Sequence, residues 1–135
     1  MKKRVAIFAS IAVILLGILI IWYNTPIDLP DLDPNEVMEI EVFNGNTGNA
    51  THIADKSQIE NIIDNLNSVK MKREKPSVGY MGYNFKITIY LSDGSVAGGW
   101  NQFIINSSDT IRKDPFFYTV VEGNIDYDYI DGIVD

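Results

Sequence analysis

Three regimes of hydrophobic patterning divide this chain. Residues 5–23 are apolar and uncharged throughout, residues 24–34 interleave prolines with aspartates, and from Glu36 onward apolar positions recur with the periods of strands and of one helix. The first regime predicts a membrane span. At about 1.5 Å rise per residue it forms a helix near ~28 Å long, close to the roughly 30 Å hydrocarbon core of a bilayer. It follows Lys2-Lys3-Arg4, and basic flanks stay cytoplasmic, so residues 1–4 are expected inside and everything after the span outside. A cleaved signal peptide has a shorter apolar run that ends in a small-residue triplet. Here the run ends Ile21-Trp22-Tyr23-Asn24-Thr25-Pro26, and the two amphipathic rings suit the headgroup region. A retained signal anchor is therefore expected. Ala6 and Ser10 form a small-xxx-small pair of the kind that lets two helices approach, but chance supplies such pairs often and a single span is the expectation.

The second regime holds Pro26, Pro30 and Pro34 with Asp28, Asp31 and Asp33 between them. Fixed φ angles and like charges predict a stiff, self-repelling spacer over 24–34, reaching about 30 Å when extended. Three carboxylates this close raise a cation site, but a solvated linker held off the membrane is the expectation.

The third regime, 35–135, predicts one folded domain. Val37, Met38, Ile40 and Val42 against Glu39 and Glu41 read as a half-buried strand, and 44–49, rich in Asn and Gly, reads as a tight connection to a returning strand that carries His52. Asp55 with Gln58 three residues on is a capping pattern. Ile59, Ile62, Ile63 and Leu66 follow at i, i+3, i+4 and i+7, so a helix runs to Asn67 with one apolar stripe. Lys70, Lys72, Arg73 and Lys75 cluster around Met71, either as an anion or partner contact or as lysines guarding an edge strand. Residues 83–91 alternate most regularly, with Phe85, Ile87, Ile89 and Leu91 on one side and Lys86, Thr88 and Tyr90 on the other. Asp93-Gly94 marks a hairpin turn into a partner strand over 96–106, in which Gly98-Gly99 predicts a bulge. Residues 110–113 and 116–121 read as further strands around Asp114-Pro115, and 125–134 as a short terminal helix.

Charge sharpens the division. The chain carries a net −7, but three of its 11 Lys and Arg residues precede the span, so eight basic residues face all 18 carboxylates in 5–135, a net −10. Acidity of that size argues against binding nucleic acid or an anionic membrane by bulk electrostatics. With no cysteine there is no disulfide framework, thiol nucleophile or lipidated N-terminal cysteine, and one histidine leaves no His-rich metal site. Asp126-x-Asp128-x-x-Asp131-Gly132 fails as a calcium loop, because Ile130 falls at a ligand position and the glycine is out of place. Asn49-Ala50-Thr51 and Asn106-Ser107-Ser108 fit the glycosylation pattern, which an Asn-rich chain produces by chance. No catalytic, nucleotide or dinucleotide motif is found, so no catalytic residue, cofactor or metal is assigned.

The candidate binding surface is the polar side of the 83–91 strand: Lys86, Thr88 and Tyr90, joined by Trp100 and Tyr118 if bulge and register allow. Aromatics beside a cation make an effective contact surface. The order of a capped helix (Asp55 to Ile59), the strand Phe85-Lys86-Ile87-Thr88-Ile89, the Asp93-Gly94 turn, the strand Phe116-Phe117-Tyr118 and an Ile-rich terminal helix resembles small extracytoplasmic domains of uncharacterised function from Gram-positive bacteria. Many of those are carried on lipoproteins, from which this chain departs in lacking cysteine. The resemblance implies no catalytic residue. The expected architecture is α+β: an antiparallel sheet of about five strands with one amphipathic helix on one face, preceded by a single transmembrane helix. The expected function is a membrane-tethered, non-enzymatic binding module for an envelope protein or small ligand, with an immunity or inhibitor protein against a secreted toxin or wall hydrolase as the alternative.

Overall fold

Helix α1 spans Lys2–Asn24 in a computed structural model that describes residues 1–29 and 31–134. No residue of α1 is buried, and the helix is long and apolar enough to cross a bilayer. It stops where Thr25, held extended by the proline after it, turns back and donates through its N–H and hydroxyl to the Ile21 carbonyl at 2.9 and 2.6 Å.

Among the described residues eight strands come after it: β1 (Ile27–Asp28), β2 (Val37–Asn44), β3 (Ala50–Ile53), β4 (Lys70–Pro76), β5 (Phe85–Leu91), β6 (Gln102–Ile105), β7 (Thr110–Lys113) and β8 (Phe116–Glu122). They form one sheet in the order β1-β4-β8-β7-β6-β5-β2-β3, with every pairing antiparallel. Two helices lie on it, α2 (Lys56–Asn67) and α3 (Tyr127–Ile133).

Directly opposed residues of antiparallel strands share a face, so the register sorts the sheet into two sides. Asn44, Phe85, Ile105, Ile111, Tyr118 and Arg73 form one row across six strands. With Ile40, Val42, Ile87, Ile89 and Phe103 this inner side meets Ile59, Ile62, Ile63 and Leu66 of α2, all buried in a single core. Asp55 caps α2 by accepting from the Gln58 N–H at 3.0 Å. Helix α3 covers the same side: Ile130 is buried, Tyr127 packs 5.4 Å from the Phe85 ring, and Asn65 of α2 bonds both Asn124 and the Asp126 N–H.

The α+β class and the antiparallel sheet agree with the pattern of the sequence, but the details are corrected. The sheet has eight strands, not about five, and a second helix shares the covered face. The strand with no counterpart in the pattern is β1, which at two residues is too short for alternation to stand out. Described residues of the 24–34 stretch also lie against the domain rather than apart from it. Ile27 and Asp28 pair with Met71 and Lys70, Leu29 is buried, and the Asn67 side chain clasps Leu32 by accepting from its N–H at 3.2 Å and donating to its carbonyl at 2.8 Å. An amide side chain here substitutes for a strand neighbour. Pro30 and Asp135, within the expected spacer and domain bounds, lie outside the described residues.

Helix α1 and the sheet touch at one place. Arg73 donates from Nη1 to the Trp22 carbonyl at 2.8 Å and lays its guanidinium 3.8 Å from the Trp22 ring centroid. Tyr23 donates its hydroxyl to the Glu74 carbonyl, and Phe116 meets the Trp22 and Tyr23 rings edge-on at 6.1 Å each.

Two substitutions test this packing. Ile63→Ala, which empties a fully buried position under the sheet, should cost about 2–5 kcal/mol. Gly45→Ala should cost about 1–3 kcal/mol by overpacking, because a Cβ there would stand 2.2 Å from the Tyr83 carbonyl oxygen. Glu60→Ala, on the exposed side of α2, should change stability by less than about 0.5 kcal/mol. Urea unfolding of the detergent-solubilised chain, followed by tryptophan emission, reads all three.

Candidate binding face

The opposite side of the sheet carries no helix among the described residues. Its central row, read across β2, β5, β6, β7, β8 and β4, is Phe43, Lys86, Ile104, Arg112, Phe117 and Lys75. Aromatic and basic residues thus collect on one outer face of an otherwise acidic domain. The connection from β4 to β5 has to cross this side, because three strands lie between them in the sheet. That connection, residues 77–84, acts as a strap pinned at both ends. Tyr80 stands edge-on to Phe117 at 5.0 Å, and Tyr83 packs on Phe43 at 6.2 Å. Lysines lie over both pairs: Lys75 Nζ is 4.9 Å from the Tyr80 centroid and 5.2 Å from that of Phe117, and Lys86 Nζ is 5.1 Å from Phe43 and 5.8 Å from Tyr83. Ring faces carry negative electrostatic potential, which holds the ammonium groups against the sheet.

The root of the strap is polar and closed. Ser77 is buried, donating its N–H to the Pro115 carbonyl at 2.8 Å and its hydroxyl to Asp114. Arg112 donates to the same carboxylate at 3.0 Å, and these two bonds, the arginine's first, hold the Asp114 carboxyl below the usual carboxylate range. Beside it a shallow cleft of about 190 Å³ opens between Lys86, Gln102, Ile104, Arg112, Lys113 and Asp114. Lys113 donates to the Gln102 carbonyl at 3.2 Å.

The far end of the same face has the opposite charge. Glu39 and Glu41 of β2 stand with His52 of β3, whose Nδ1 is 2.7 Å from Glu39 and whose Nε2 is 3.9 Å from Glu41. The hydrogen bond to Glu39 raises the His52 pKa above its ordinary value, and the charges of both glutamates act in the same direction. Among the described residues, no three His, Asp or Glu side chains gather closely enough to hold a metal ion.

Of the five residues expected to share a surface, three lie on this face and two do not. Lys86, Thr88 and Tyr90 occupy it, though Thr88 is only 5 % exposed and accepts from the Gln102 side chain at 3.2 Å, so it belongs to the sheet's own packing. Trp100 and Tyr118 lie on the inner side, their rings 5.1 Å apart, with Trp100 also against Phe103 and beside Ile63 and Leu66 of α2. For Tyr118 the cause is parity: it pairs with Ile111 and Arg73, one residue out of step with outward Phe117. For Trp100 the cause is a wide bulge. Both bonds of Ile89 are made around it, to Ala97 and Asn101, so Gly98, Gly99 and Trp100 loop out between them, with Gly99 at φ 73°.

Sequence reasoning missed Phe43, Tyr80, Tyr83, Ile104, Arg112 and Phe117. Alternation along 110–113 and 116–121 marks Arg112 and Phe117 as off-core, but nothing local marks the tyrosines of the strap. The basic cluster of β4 is divided between faces, with Lys72 and Lys75 outward and Arg73 inward, and β4 is flanked by β1 only at Lys70 and Met71. No family model matches this chain, and comparison with curated proteins and with solved structures likewise finds no match.

The His52 pair has a definite pH signature. Because its folded pKa is raised, the contribution of the pair to stability is full below the ordinary histidine value of about 6.5 and is lost as pH rises through the folded value. NMR titration of the sole imidazole should give a midpoint above that value, and Glu39→Gln should bring it back down. A midpoint unmoved by Glu39→Gln would place the cause elsewhere.

Proposed function

We propose that this protein is a membrane-tethered, non-enzymatic binding module, with residues 1–4 cytoplasmic, α1 as an uncleaved anchor and the sheet domain outside the cell, consistent with its resemblance to Gram-positive envelope domains. The outer face carries the reading: Phe43, Lys86, Ile104, Arg112 and Lys75 lie in one row with no helix over them among the described residues, in a region of net negative charge, while Phe117 of the same row is buried beneath Tyr80. Aromatic side chains supply contact area at low entropic cost, and the lysines supply orientation toward an acidic surface. The partner that fits is an envelope protein presenting acidic side chains close to the membrane. An inhibitor of a secreted toxin or wall hydrolase is the case in which that partner is such an enzyme. The adjoining cleft is shallow, which favours a surface contact over enclosure of a small molecule.

Site-specific photo-crosslinking in intact cells tests the proposal. A crosslinker at Ile104 should capture a defined protein, one at Glu60 on the exposed side of α2 should not, and Lys75→Glu with Lys86→Glu should remove most of the Ile104 product. Equal capture from both positions, or capture unaffected by the double charge reversal, overturns it.

A further inference from the structure

The sheet has a fixed direction relative to α1. The chain leaves α1 at Asn24 and enters β1, which pairs antiparallel with β4 through Ile27 with Met71 and Asp28 with Lys70. Strand β4 therefore runs back toward the helix. Continuing that register places residue 74 level with the end of α1, and the contacts agree: Tyr23 bonds the Glu74 carbonyl, and Arg73 bonds that of Trp22. At about 3.3 Å per residue, Pro76 lies roughly 7 Å further on, alongside the last turns of the helix. Its partner Phe116 packs there against Trp22 and Tyr23. Ser77 follows Pro76 and donates its N–H to the Pro115 carbonyl between β7 and β8, so the strap leaves β4 at about the level of Trp22.

The first half of the strap starts at that rim, and the Tyr80 N–H bonds back to the Ser77 carbonyl at 3.2 Å. Outside α1 and Met1, the large hydrophobic residues exposed among the described residues are Met38, Val78, Tyr80, Met81, Val96 and Val121, so half of them fall within residues 78–81. Val78 is 79 % exposed and Met81 95 %. A basic residue stands beside them, Lys75 over the Tyr80 ring at 4.9 Å. Interfacial membrane contacts combine exposed apolar tips with flanking lysines that reach phosphate oxygens.

We propose that residues 78–81 dip into the headgroup region of the leaflet from which α1 emerges, giving the domain a second contact with the lipid surface beside its anchor. The strap then serves two ends: Tyr80 and Tyr83 secure it across the outer face, and Val78 and Met81 seat the β4–β8 rim on the bilayer. The contact rests on α1 being a span, with Trp22 and Tyr23 at headgroup depth.

The chain lacks cysteine, so single cysteines report unambiguously. Full-length Val78→Cys, Met81→Cys, Ser108→Cys and Ile14→Cys would each be labelled with an environment-sensitive nitrobenzoxadiazole. They would then be reconstituted in phosphatidylcholine–phosphatidylglycerol vesicles with and without spin-labelled lipid. Ser108 lies between β6 and β7 at the end of the sheet away from the rim, and Ile14 lies midway along α1. Labels at 78 and 81 should shift to the blue and lose most of their emission to the lipid quencher, while the label at 108 keeps its own. If 78 and 81 behave like 108 while 14 is quenched, the rim contact is overturned and the span stands. An unquenched label at 14 overturns the span reading and the rim contact with it. Two tip positions keep the result from hanging on one label.

Discussion

Burial on one side is the constraint that shapes the whole domain. A sheet of eight strands has two faces, and helices of 12 and seven residues have surface enough to cover one of them. The apolar residues of every strand must then share a parity, and antiparallel pairing transmits that parity from strand to strand. Ile40 opposite Ile89, Ile87 opposite Phe103, and Ile105 opposite Ile111 are steps of that chain. A slip of one residue anywhere would turn the remaining strands inside out. The same parity that assembles the core leaves the alternate residues on a side with no helix. The outer face is thus a consequence of the core and is held as firmly as the core is.

An uncovered sheet invites sheet-to-sheet association, and this one limits it by several means. Its edges are short, with β1 two residues long and β3 four. Charges of both signs stand on the outer face, from Lys72 and Lys75 at one end to Glu39, Glu41 and His52 at the other. The strap then crosses it, and its tyrosines hold Lys75 and Lys86 against ring faces. A lysine held in this way loses less rotamer freedom when a partner arrives, which lowers the entropic cost of recognition. Stability and binding draw here on the same cation–ring contacts.

How far the sequence discloses this depends on the range of the interaction concerned. Helix α2, strand β5 and the Asp93-Gly94 turn are legible because each is defined within about ten residues by period, cap or turn chemistry. Strand β1 is not, since it exists only through pairing with Met71 and Lys70, some forty residues away. Local pattern sets Trp100 and Tyr118 beside Lys86 because aromatics near a strand suggest a common surface. Their side is decided by a bulge of three residues, which Gly98-Gly99 marks without giving its extent, and by pairing to Ile111, which leaves no local mark. The outer face is legible on β5 alone. Extending it to Phe43, Arg112 and Phe117 requires the strand order, which a single sequence does not carry.

Arg73 joins the two halves of the molecule and shows why an arginine is needed there. It ends the inner row, where the apolar layer of the sheet gives out and α1 begins. Its Nε is buried without a hydrogen-bond partner, while Nη1 reaches the Trp22 carbonyl and the guanidinium plane lies over Trp22 and within 5.9 Å of the Phe116 centroid. A planar, weakly hydrated cation tolerates such a site, with one donor unsatisfied and two ring faces taking up the charge. A lysine ammonium, compact and strongly hydrated, would lose its water for one bond. The carbonyls of the last helical turn are also the negative end of the α1 dipole, so the guanidinium there supplies the opposite charge that a helix terminus favours. With α1 read as a span, this contact restricts the tilt of the sheet relative to the membrane. The orientation of the outer face is then set by the same short stretch of chain that anchors it.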